Sequence, residues 1–247
     1  MKNQLSFLAA ATVMVLSSAS AQTTFDGNGS TSFGGAIGLG SLTLSDNGTT
    51  VSGSLTTGAG LIGNAFVLYL ETAPGGFSST AGFNDNGDQL RSAISGYGGS
   101  GEQSTLNFGS GFTPEYAIAL QPGSGINFGG LWSLADGGSG SLNYLNSVNL
   151  SPTGSDAQGT YTFSFDLASI GLTPYAGQSF ELFGLEVSTT GYSSAEAIGG
   201  TLSGANGWGN SQTVTSFSTY TTSVPEPATV VLGAAGMATL LLLRRRR

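Results

Sequence analysis

The chain has 247 residues with 41 Gly, no Cys, no His, only 8% charged residues and a formal net charge of −8 at pH 7. Without His or Cys, Ser-His-Asp and Cys-His catalysis and zinc sites built on those ligands are excluded. Every basic residue except Arg91 lies in the two ends, so Gln22–Ser223 carries 13 acids against one arginine, a charge of −12. That charge repels phosphate backbones and excludes nucleic acid as a partner.

Met1–Ala21 has Lys2 near its start, an apolar run near Leu5–Leu16, and then Ala19-Ser20-Ala21. This is the pattern of a signal peptide, with the small side chains of Ala19 and Ala21 marking cleavage after Ala21. Residues 22–202 are expected to form one ectodomain, a length sufficient for a single core.

Thr23–Leu44, rich in Gly, Ser and Thr, is expected to enter the first strands. Val51–Thr57 alternates Val51, Gly53 and Leu55 with Ser52, Ser54 and Thr56, the pattern of a half-buried strand. Ala65–Glu71 is continuously apolar and reads as a buried strand, ended by the turn at Pro74-Gly75-Gly76. Phe83–Asp88 reads as a loop and Tyr116–Leu120 as a short strand. Ile126–Leu134 and Leu142–Leu150 are expected to pair as a hairpin across the glycine-rich link 136–140.

Thr160–Leu167 points Tyr161, Phe163, Phe165 and Leu167 one way and Thr160, Thr162, Ser164 and Asp166 the other. Ala168–Leu172 is expected to make a single helical turn. Phe180–Thr189 reads as a further strand, with Glu181 and Glu186 near its ends. Ser203–Ser223, rich in Ser and Thr and without regular alternation, reads as a linker. Short strands separated by turn signals predict an all-β fold, a β-sandwich or jelly roll.

Residues 224–247 have three parts in a fixed order. These are Pro225-Glu226-Pro227, the uncharged apolar run Ala228–Leu243, and Arg244, Arg245, Arg246 and Arg247. The two prolines keep the first part extended, because each fixes φ and lacks an N–H. The apolar run measures roughly 24 Å as a helix at ~1.5 Å per residue. Local thinning and snorkelling arginines can close the gap to the ~30 Å hydrocarbon core. It is therefore expected to be a transmembrane helix, and the arginines a cytoplasmic stop.

This tail resembles the PEP-CTERM sorting signal of exported Gram-negative bacterial proteins. The resemblance implies that the exosortase, a membrane protease-transpeptidase, reads Pro225-Glu226-Pro227 and that the tail is a transit device. An ordinary anchor that stays in the membrane is the alternative. The resemblance also implies association with exopolysaccharide and biofilm matrix. It further implies inner-membrane anchoring in transit, followed by residence in the envelope or outside the cell.

A looser likeness covers Phe66–Thr72 and Pro114–Leu120. The pair is similar to a pattern in DOMON-like carbohydrate-binding β-sandwiches, in which a strand ending in an acid precedes one that opens on Asp-Tyr. Glu71 and Glu115 stand here where Asp is commoner. The likeness implies sugar or haem binding, and for haem there is no His ligand.

One catalytic class stays open, since paired carboxylates hydrolyse glycosides without His. Glu71, Glu115, Glu181 and Glu186 lie near strands. Asn84-Asp85-Asn86-Gly87-Asp88 gathers hard oxygen atoms, so Asp85 and Asp88 are candidate calcium ligands, with a solvated Asx turn as the plain alternative. No other cofactor is expected. Gly34-Gly35-Ala36-Ile37-Gly38 reads as turn material rather than a phosphate cradle. Trp132 reads as core, and Trp208, in a Gly/Asn loop, as a surface aromatic able to stack on a sugar. The expected function is that of a non-enzymatic exported envelope or matrix protein. A carbohydrate-binding module and a carboxylate-based glycosidase are the alternatives.

Overall fold

The computed structural model describes residues 22–99, 101–109, 111–123, 128–134 and 141–224. The signal-peptide site at Ala19 and Ala21, the Pro225-Glu226-Pro227 triplet, the apolar run and Arg244–Arg247 lie outside the described residues. Among the described residues, no helix is long and apolar enough to cross a membrane.

Strands β1 (Gln22–Asp26), β2 (Ser41–Asp46), β3 (Thr50–Thr56) and β4 (Ala65–Glu71) come first. Helix α1 (Gln89–Ser95) leads to β5 (Tyr97–Gly99), β6 (Glu102–Gln103) and β7 (Thr105–Asn107). Then follow β8 (Tyr116–Gln121), β9 (Phe128–Ser133), β10 (Asn143–Ser147), β11 (Asn149–Ser151) and β12 (Thr160–Asp166). The last are β13 (Ser179–Val187), β14 (Ser193–Ile198), β15 (Thr201–Gly204), β16 (Ser211–Ser216) and β17 (Ser218–Thr221).

The fold is mostly β, as the alternating patterns imply. An outer sheet runs β1-β2-β3-β12-β11, and a central sheet runs β10-β9-β8-β4-β13-β14 with β17 also on β13. Both are antiparallel throughout. A small sheet, β15-β16-β7, includes a parallel pair between β16 and β7.

The central sheet is buried on both faces. Phe66, Leu68, Leu70, Ile118, Leu120, Phe180 and Leu182 pack against Leu42, Leu44, Val51, Leu55, Tyr161, Phe163 and Phe165 of the outer sheet. The alternate residues, Val67, Tyr69, Ala117, Ala119, Phe183 and Leu185, pack with Leu90 and Ile94 of α1 and with Leu106 and Val214. This double cover is why β4 reads as a continuous apolar run. Strands β3 and β12 belong to the outer sheet, with one face in water, and so they alternate.

Two sequence expectations are corrected, and one short helix is added to them. Helix α1 lies in a stretch that shows no helical periodicity, because seven residues are too few to display one. Asp88 caps its start by accepting from the Arg91 N–H, and Gly96 ends it at φ +68°. The segment Leu142–Leu150 is not one strand: β10 pairs with β9 in the central sheet, whereas β11 pairs with β12 in the outer one. Ser203–Ser223 is not a linker. It supplies β16 and β17 and buries Gln212, Val214 and Tyr220. Its hydroxyl residues suit an edge of sheet as well as they suit a spacer, so composition could not separate the two. The folded unit therefore continues to Val224 rather than stopping at Leu202.

Candidate functional site

The most constrained polar site lies where a strap, residues 27–40, crosses β14. The strap is tied to that strand by Asn28, whose N–H donates to the Ala197 carbonyl. The Asn28 side chain bonds Ala195 O and the Ala197 N–H. Glu196 is fully buried, and its carboxylate is wrapped by strap amides. Oε1 accepts from the N–H groups of Phe33 at 2.6 Å and Gly35 at 2.8 Å. Oε2 accepts from Ile37 at 3.0 Å and Gly38 at 3.1 Å.

Gly34 and Gly35 reach φ +109° and +90°, values that turn successive N–H groups inward. A Cβ on Gly38 would lie 2.0 Å from Ser30 O, so the chain closes there only with glycine. The glycine run is thus turn material, and it cradles an anion supplied by this chain.

Beside Glu196 sits a second buried acid. A bulge in the β13–β14 pairing sets Glu186 opposite the Ser194–Glu196 stretch. Glu186 is fully buried. Its Oε1 accepts from the Asn64 amide at 3.1 Å, whereas Oε2 meets no donor. Burial pushes the Glu186 carboxyl up to about 8; the Asn64 bond opposes this, and the charge and hydrogen-bonding contact of Glu196 add to it.

The remaining candidate acids divide. Glu71 and Glu181 are cross-strand partners on β4 and β13, and Glu115 lies close enough for the Glu71 charge to act on it. Glu186 is elsewhere. Burial and then the Glu71 charge raise Glu181. Burial also raises Glu115, against donors from Thr72 and Ala73 and with the Glu71 charge adding. Each of the other two carboxylates ties down backbone: Glu115 accepts from Thr72 at 2.9 Å and Ala73 at 3.2 Å, and Glu71 accepts from the Thr113 N–H and hydroxyl.

Asp85 and Asp88 both face Arg91, at 2.6 and 3.2 Å. Asp85 also accepts from Leu142 N and Gly87 N. Burial opposes its charge, but these donors and the guanidinium outweigh it and hold Asp85 below the usual carboxylate range. Among the described residues, no three acids gather in a way that would hold a metal.

Asp46, missed in the sequence, is buried and clasps the end of the folded unit. It accepts from Gly48 N, the Tyr220 hydroxyl at 2.7 Å and the Ser223 hydroxyl at 2.6 Å. Burial opposes its charge, and these donors outweigh that and lower it.

The sequence's aromatic candidates separate by burial, and the outer sheet presents a polar face. Trp132 is buried, as read, and Trp208 is 39% exposed. Trp208 meets Tyr192 edge-on at 5.5 Å, and Tyr192 stacks on Phe33 at 6.0 Å. On the outer sheet, the solvent face is a grid of small polar groups in register. One rank is Thr24, Thr43, Ser54, Thr162 and Ser151, and the next is Gln22, Ser45, Ser52, Ser164 and Asn149. A shallow depression of about 440 Å³ lies over the grid.

Glu196 and Asp46 carried no sequence signal of their own, because their partners lie more than 150 residues away in Glu196 and Asp46–Ser223 pairs alike. The glycine run at 34–38 was the one visible half of either site. No family model, no curated protein and no solved structure matches this chain.

Proposed function

We propose that this protein is an exported, non-enzymatic component of the bacterial envelope or extracellular matrix, sorted by an exosortase through Pro225-Glu226-Pro227. The observation that carries the reading is the order of triplet, apolar run and terminal arginines in residues 224–247. The body is compatible with it. Six of its acids, Asp46, Glu71, Asp85, Asp88, Glu115 and Glu196, accept from its own backbone, which supports a structural use of those carboxylates.

The test follows the mass of the tail in a host with the exosortase and in one without. The wild-type chain should lose the tail only in the first, and the variant with Ala-Ala-Ala at 225–227 should keep it in both. An intact wild-type tail in the exosortase host defeats the reading and leaves a plain anchor.

A second reading, a carbohydrate-binding module, is favoured by the hydroxyl grid. Neutral hydroxyls at strand spacing, about 4.8 Å apart across the sheet, match the chemistry of a neutral polysaccharide, and Ser45, Ser52, Ser54 and Ser164 spend none of theirs on protein partners. Binding on a glycan array that disappears in a Ser52→Glu, Ser54→Glu variant would favour it. Binding that survives those changes would remove the grid from consideration.

A further inference from the structure

The pair Glu186 and Glu196 has a chemistry that the sorting and matrix readings leave unused. Both side chains are fully buried. Glu196 is saturated by four strap amides, whereas Glu186 has one oxygen with a donor and one without. Two ionised carboxylates side by side in an apolar interior repel strongly. One proton resolves both difficulties, because a protonated Glu186 becomes a donor and Glu196 is the acceptor in contact with it.

We propose that a single proton, carried by Glu186 and donated to Glu196, latches the glycine strap onto β14, so that the strap is held most firmly in acid and loosens as the pH rises.

The groups packed around Glu186 leave no other source of control. From β14 comes Glu196, from the loop before β4 the neutral Asn64, and from β4 the apolar Phe66 opposite it in register, while the strap amides reach it only through Glu196. The one cation among the described residues, Arg91, is engaged by Asp85 and Asp88. The strap's ties to the rest of the fold include four amides on Glu196, the Asn28 bonds, the Ser32 hydroxyl accepting from Ala195, the Ala36 carbonyl accepting from Gly58, the Phe33–Tyr192 stacking and the buried side chains of Ala36 and Ile37, so those on Glu196 are the ones a proton at Glu186 can bias.

The sign follows from linkage. With Glu186 raised to about 8 when the strap is closed and near 4.3 when it is open to water, opening releases a proton between those limits. The opening constant should rise about tenfold per pH unit across that window and level off above it.

The test is residue-level hydrogen exchange on the full chain from pH 5 to 9, corrected for the intrinsic pH dependence of exchange. Protection at Phe33, Gly35, Ile37 and Gly38 should fall about tenfold per unit up to pH 8, while β4 and β8 amides hold theirs. In Glu186→Gln, whose amide donates at every pH, strap protection should be flat. Strap protection that is constant in the wild type, or that falls equally in Glu186→Gln, overturns the proposal. If Glu186→Gln does not fold, carboxyl-carbon NMR of the wild type decides: a glutamate titrating on the alkaline side of neutrality supports the shared proton, and all glutamates titrating in the ordinary acid range overturn it.

Discussion

The molecule buries carboxylates in two places and treats them in opposite ways. At the Asp46 clasp, donors outnumber what burial costs: Gly48, Tyr220 and Ser223 converge on one side chain and hold its charge. At Glu186, burial is deeper and one amide is the whole supply, and the carboxyl is pushed to about 8. Protonation at these two acids is set by burial weighed against the donors aimed at each.

Removing the donor-rich partner should hurt most. Glu196→Ala strips four amides and Glu186 of their acceptor and leaves a void. The expected loss is roughly 3–5 kcal/mol, since several buried donors are left unsatisfied at about 1–3 kcal/mol each and the strap relaxes to re-pair some of them. Chemical denaturation of the full chain checks it, and a loss below about 1 kcal/mol, the worth of one ordinary hydrogen bond, would mean that the strap is not held through Glu196.

The clasp should matter next. Asp46→Ala is expected to cost about 2–3 kcal/mol, because the Tyr220 hydroxyl and the Ser223 N–H lose a charged acceptor. The two sites also respond to pH with opposite sign. Asp46 is lowered in the fold, so its stabilisation is present above the unfolded value and is lost as pH falls through the folded one. Glu186 is raised, so its stabilisation is complete below the unfolded value and is lost as pH climbs towards about 8. Melting temperature should thus peak in mild acid, and Asp46→Asn should weaken the acid arm, leaving the share supplied by Asp85, without changing the alkaline arm. A single-signed profile in both proteins would erase the contrast.

The smallest effect is expected at the partly exposed Asp85–Arg91 pair. Asp85→Ala should cost about 1 kcal/mol, and millimolar calcium should leave the melting temperature of the wild type unchanged. A calcium-dependent rise that disappears in Asp85→Ala would establish the loop as a metal site.

What was legible in the sequence is what depends on neighbours along the chain. Period-two alternation identified β3 and β12, and the unbroken apolar run of β4 announced a strand with both faces covered. Turn residues placed the breaks, and the tail's motif needs no fold at all to be seen. Tertiary structure decided the rest. Whether a Ser/Thr-rich stretch floats or zips was settled by what β13 and β7 offered β17 and β16 as partners. The strand that changes sheets at Val148 follows from two edges being vacant at once. The glycine run at 34–38 read as turn material alone, and the carboxylate it wraps lies about 160 residues further on. Local pattern reports the conformation a segment prefers. A buried charge is set by groups that only the folded chain brings within 3 Å of one another, and no periodicity in the sequence encodes that distance.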